Sequence, residues 1–144
     1  MKLLLTILSF LTLQTFVTAQ TAVGVWKTID DKTNEAKSEV TITDVNGKIF
    51  GKVTKLLRKT ADPNRKCVDC KGAKKGQLIL GMNIVEGLWK SGDQWEGGTI
   101  TDPENGKEYS CKIKFKNGNP DQLEVRGFLG ISLLGRSQTW YRVK

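Results

Sequence analysis

The chain has 144 residues, with 23 Lys and Arg against 15 Asp and Glu, and a formal net charge of +8. It contains no histidine, which excludes Ser-His-Asp and Cys-His nucleophile activation and any imidazole metal ligand. Carboxylates, Lys, Tyr and Cys remain as the catalytic repertoire. The excess of cations points toward anionic surfaces. The lysines are nevertheless spread through the chain without a dense basic block, which is the pattern of a solvated face.

The chain opens with Lys2, then a charge-free and mostly apolar run from Leu3 to Val17, then Val17-Thr18-Ala19. This is the three-part pattern of a cleavable secretory signal peptide, expected over residues 1–19. The run is shorter than the roughly 20 residues of a membrane-spanning helix. Nothing later is apolar enough to span a bilayer. Removing 19 of the 144 residues leaves 125, a single domain over 20–144, and the loss of Lys2 takes its formal charge from +8 to +7. The expected location is the periplasm or the exterior, where nucleic acid is not an expected partner.

From there the chain reads as short strands and tight turns. Residues 24–30 form a first strand. Residues 37–43 alternate, with Val40 and Ile42 on one face, and lead through Asn46-Gly47 into a strand over 48–58. Asn-Gly between alternating runs is a strong hairpin signal. Residues 59–76 form a long, polar, Lys-rich irregular segment. Residues 77–82 read as a strand, with a turn of helix as the competing reading around 80–88. Residues 95–101 form a strand and Asp102-Pro103-Glu104-Asn105-Gly106 a turn. In the next strand, 108–116, Tyr109, Cys111, Ile113 and Phe115 share one face, and Ser110, Lys112, Lys114 and Lys116 the other. Asn117-Gly118-Asn119-Pro120-Asp121 turns again, and strands over 123–128 and 136–143 complete an all-β chain of sandwich or barrel type.

Gly24-Val25-Trp26 at the start and Trp140-Tyr141-Arg142 at the end resemble the closure of lipocalin-like barrels. There a Gly-x-Trp on the first strand packs beneath an Arg on the last. The stretch from Trp95-Glu96-Gly97-Gly98 to Glu108-Tyr109 is similar to the central motif of the bacterial domain of unknown function 2147 family. Arg126-Gly127-Phe128-Leu129-Gly130 and the stretch from Leu134-Gly135-Arg136 to Arg142 are similar to its C-terminal motifs. The resemblance covers nearly the whole mature chain. It implies an exported antiparallel β-barrel of about eight strands, closed at one end by Gly24, Trp26 and Arg142, and no established activity.

Cys67-Val68-Asp69-Cys70 leaves three readings open: a disulfide stapling the long loop, a redox-active pair, or a thiolate metal site aided by Cys111 or Asp69. Export favours the disulfide, and neither a metal nor another cofactor is expected. Cys111, on the inward face of its strand, is either a small buried hydrophobe or a thiol lining a cavity. Trp89, Trp95, Tyr109, Phe115 and Phe128, with Cys111, are the expected lining of a barrel interior. Small barrels of this size are either filled or hold one small ligand. The leading expectation is non-catalytic binding of a small apolar or amphiphilic molecule. The alternatives are a module whose basic loops touch an anionic envelope component or another protein, and a thiol-redox factor using Cys67 and Cys70.

Overall fold

A computed structural model describes residues 19–131 and 133–144; the expected signal segment lies outside the described residues but for Ala19. Eight strands follow in order: β1 (Gly24–Ile29), β2 (Ala36–Val45), β3 (Lys48–Leu56), β4 (Asn83–Ser91), β5 (Gln94–Asp102), β6 (Lys107–Phe115), β7 (Gln122–Phe128) and β8 (Gly135–Arg142). Each pairs antiparallel with the next, and β8 returns to β1 through Trp26 opposite Arg142. The result is a closed antiparallel barrel with no free sheet edge, which removes the usual route to edge-to-edge aggregation.

Local chemistry sets the hairpins. At the β2–β3 turn Asn46 and Gly47 both have positive φ, 53° and 82°, the backbone that two-residue hairpin loops require. The Gly47 N–H donates to the Asp44 carboxylate at 2.9 Å. On β5 the register shifts between Trp95 and Gly98. A Cβ on Gly98 would stand 2.1 Å from the Glu86 carbonyl oxygen of β4, so the Gly-Gly pair permits a contact that no side chain allows.

One expected strand is absent. Residues 77–82 contain only a single bridge, Leu78 with Lys66, and β4 begins one residue later, at Asn83. Glycines with positive φ at 76 and 81 bracket the apolar run and fold it into a turn. Ile79 and Met82 are buried there, and Met82 accepts a backbone hydrogen bond from Val53. The helical reading around 80–88 also fails, because residues 80–82 form a turn and β4 takes up the rest.

Half of the barrel is filled. At the end that carries the β2–β3, β4–β5 and β6–β7 turns, Trp26, Ile42, Ile49, Leu88, Ile113 and Leu123 are all but fully buried. The Arg142 guanidinium lies 4.2 Å from the centroid of the Trp26 ring, and the Trp26 indole N–H donates to the Ala22 carbonyl at 2.8 Å. Arg142 also donates to the carbonyls of Thr21, Val23 and Pro120 at 3.0, 3.2 and 3.0 Å. A second plug stands beside it: Trp95 meets Phe115 edge to face at 5.7 Å, and the Lys90 ammonium sits 3.9 Å over the Trp95 ring.

Candidate functional site: a cavity at the open end

The other half of the barrel is hollow. A cavity of about 630 Å3 opens between the β1–β2, β3–β4, β5–β6 and β7–β8 connections, within the range of small-molecule sites. Its deep wall is mostly apolar, with Val53, Leu56, Ile84, Ile100, Val125 and Trp140 contributed by five different strands. Thr28 and Ser38 add a buried polar patch, their hydroxyls 2.8 Å apart. Among the described residues no buried side-chain polar atom lacks a partner.

The rim is charged. Arg58, just past β3, joins the β1–β2 connection to the β5–β6 turn by pairing with Asp30 and with Glu104, the latter at 3.1 Å. Lys37 on β2 holds the second Glu104 oxygen at 3.1 Å. Partial burial raises the Glu104 pKa, but the hydrogen bonds and charges of Lys37 and then Arg58 outweigh it, so its carboxyl titrates below its ordinary value. Across the mouth, Asp31 accepts from Gln138 at 2.8 Å and faces Arg136 at 3.5 Å, tying the first connection to β8.

The β3–β4 connection supplies one wall through Thr60, Ala61 and Arg65, and the disulfide between Cys67 and Cys70 organises it. These two cysteines are only 1% and 2% exposed. Disulfide exchange needs an accessible sulfur, and this burial withholds one. The connection rests on the outside of the barrel. Lys74 reaches Glu86 at 2.6 Å, the Thr101 hydroxyl at 2.9 Å and Glu108 at 3.6 Å. Gly106 lies so close to the Asp69–Cys70 peptide that a Cβ there would meet it at 2.1 Å. Among the described residues no group of His, Cys, Asp or Glu is placed to hold a metal ion.

The residues expected to line the interior divide. Tyr109 and Phe128 border the cavity, although Phe128 also lies 5.7 Å from the Lys112 ammonium. Trp95, Phe115 and Cys111 do not reach it: they pack into the filled half. Burial pushes the Cys111 thiol up to about 12, so it stays protonated and inert. Trp89 faces outward, 46% exposed, with its ring over Gly97, where a Cβ would clash at 1.9 Å. Strand alternation is reset by the irregular β4 register, whose pairing with β5 skips residues 87 and 88, and this turns Trp89 out. Sequence reasoning missed the polar lining, Thr28, Ser38 and Gln138, and the ion pairs of Arg58. Inward-facing hydroxyls at one end of strands that are otherwise apolar inside were the available signal for the first two.

An eight-stranded meander with a Trp–Arg closure at one end and a cavity at the other defines a lipocalin-like barrel. The chain belongs to the DUF2147 family, described as uncharacterized protein conserved in bacteria, whose family model matches residues 24–142. No curated protein sequence matches it. Among solved structures it is similar to HP1028 of Helicobacter pylori, which is described as belonging to the lipocalin family. The two are 17% identical, superpose with a TM-score of 0.74, and share 88% of this chain and 85% of that one. At that identity the likeness speaks for the fold alone.

Proposed function

We propose that this is an exported, non-catalytic protein that holds one small apolar or amphiphilic molecule in the open half of its barrel. The observation that carries this is the cavity itself: about 630 Å3, apolar at depth, with a hydroxyl pair inside and a charged rim. Such a gradient suits a ligand with an apolar body and a polar end. A filled barrel with a Lys-rich face would have favoured the interaction module instead. The buried disulfide speaks against the redox reading. Export is supported by the signal pattern and by the presence of that disulfide. Non-catalytic binding is supported by the absence of histidine.

Two measurements test the proposal. Native mass spectrometry of protein purified from its own host should show added mass that organic solvent removes. Titration with N-phenyl-1-naphthylamine should give saturable fluorescence, weakened roughly tenfold by Ala61→Trp, which narrows the mouth. An empty protein that also fails to bind the dye refutes it. Export is checked by N-terminal sequencing, expected to begin at or near Gln20.

A further inference from the structure

The connection between β7 and β8 is apolar where a solvated loop would be polar. Leu129, Ile131, Leu133 and Leu134 are 61, 60, 83 and 71% exposed. Single exposed leucines are ordinary, but four within six positions make a contiguous patch of the kind that marks an interaction site. Leu129 and Leu134 also line the cavity, so the cavity wall and this lip share residues.

The charges at the same end are unevenly satisfied. Of the rim carboxylates, Asp30, Asp31 and Glu104 are paired, with Arg58, Arg136 and Lys37, while Asp62 and Asp102 accept only N–H groups of their own turns among the described residues. By contrast, Lys32 in the β1–β2 connection and Lys59 and Arg65 in the β3–β4 connection are exposed. Among the described residues none of these three has a carboxylate within 4.0 Å. The open end thus combines an apolar projection with a β3–β4 connection that carries seven Lys and Arg against two Asp, on a chain of formal charge +8.

We propose that the open end docks on an anionic phospholipid bilayer, with the β7–β8 loop entering the headgroup and acyl boundary and Lys32, Lys59 and Arg65 facing the lipid phosphates. Apolar insertion and cationic contact reinforce each other at such a surface, neither sufficing alone. The loop and the cations carry this inference whether or not the cavity holds a ligand. If it does, an apolar lip seated in the membrane lets that ligand pass between cavity and bilayer without crossing water.

Sedimentation with vesicles tests it. The exported protein should bind vesicles of phosphatidylglycerol and phosphatidylcholine in equal parts, and bind pure phosphatidylcholine at least about tenfold more weakly. Ile131→Asp with Leu133→Asp should weaken binding at least about tenfold, since both side chains leave the apolar phase. Lys32→Glu with Lys59→Glu should weaken it comparably, and more at low salt than at high. Near-ultraviolet circular dichroism and dye titration of each variant should match the parent, since Ile131, Leu133, Lys32 and Lys59 lie outside the cavity lining; Ile131→Ser with Leu133→Ser serves where the aspartates disturb folding. No vesicle binding, or binding that the loop variants leave unchanged, overturns the proposal. So does sedimentation velocity showing a dimer that the loop variants dissociate, which would make the loop an interface between two copies of the chain.

Discussion

Replacing Arg142 with alanine should unfasten the closed end of the barrel. Its guanidinium stacks 4.2 Å over Trp26 and donates to the carbonyls of Thr21, Val23 and Pro120. A hydrogen bond from a charged donor contributes about 1.5–3 kcal/mol when shielded. The Arg142 side chain is 22% exposed, and water can reach the freed carbonyls, so about 1 kcal/mol for each is a fairer figure. Stacking adds about 0.5–1 kcal/mol, which brings Arg142→Ala to about 3–4 kcal/mol. Arg142→Lys should recover little, because one ammonium cannot fork to three carbonyls and still cover the ring. Trp26→Ala should cost about 3–5 kcal/mol, as deep core truncations do. Gly24 supplies the cross-check: its φ is +144°, and a Cβ there would sit 2.6 Å from Arg142 Nη1. Gly24→Ala must therefore displace the guanidinium, and its cost should overlap that of Arg142→Ala in a double-mutant cycle. Urea melts with unchanged slopes are the assay. A loss below about 1 kcal/mol for Arg142→Ala, the scale of an exposed ion pair, or strict additivity with Gly24→Ala, would refute the closure argument.

Other outcomes follow from the same geometry. Reduction of Cys67–Cys70 should leave the barrel folded and cost about 2 kcal/mol at most, because the ring it closes is short; hydrogen exchange should quicken in residues 59–82 and not in β5–β8. Glu104 has a folded-state pKa below its ordinary value of 4.5, so its stabilisation is present above that pH and lost as the pH falls through the folded value. Glu104→Gln should thus lower the urea midpoint at neutral pH and converge with the parent in acid; a gap that persists in acid contradicts the pairing with Lys37 and Arg58. Cys111, with a thiol pushed up to about 12, should resist iodoacetamide in the folded protein at mildly alkaline pH and react once unfolded; rapid labelling of the native protein would show that its burial is transient.

The sequence by itself determined the strands whose signals are local. Asn46-Gly47 requires a two-residue turn whatever surrounds it, and the alternation of Tyr109, Cys111, Ile113 and Phe115 against three lysines settles which face of β6 turns inward. The closure by Gly24, Trp26 and Arg142 was legible only through the resemblance to lipocalin-like barrels; its physical reason, a guanidinium stacked on the ring where a Cβ at 24 would clash, is in the structure. Residues 77–91 were not legible. An apolar run has the same local appearance in a strand and in a buried turn, and glycines with positive φ at 76, 81 and 87 decided between them. The same backbone irregularity turned Trp89 outward, which no strict two-residue period predicts. Facing inward was visible for Trp95, Phe115 and Cys111; depth along the barrel axis was not. Depth depends on the stagger between strands distant in the chain, and that stagger put those three in the filled half and left the hollow to Thr28, Ser38 and Trp140. Only closure of the sheet brought Arg58 between Asp30 and Glu104, and so only the tertiary structure decided where the mouth lies and what lines it.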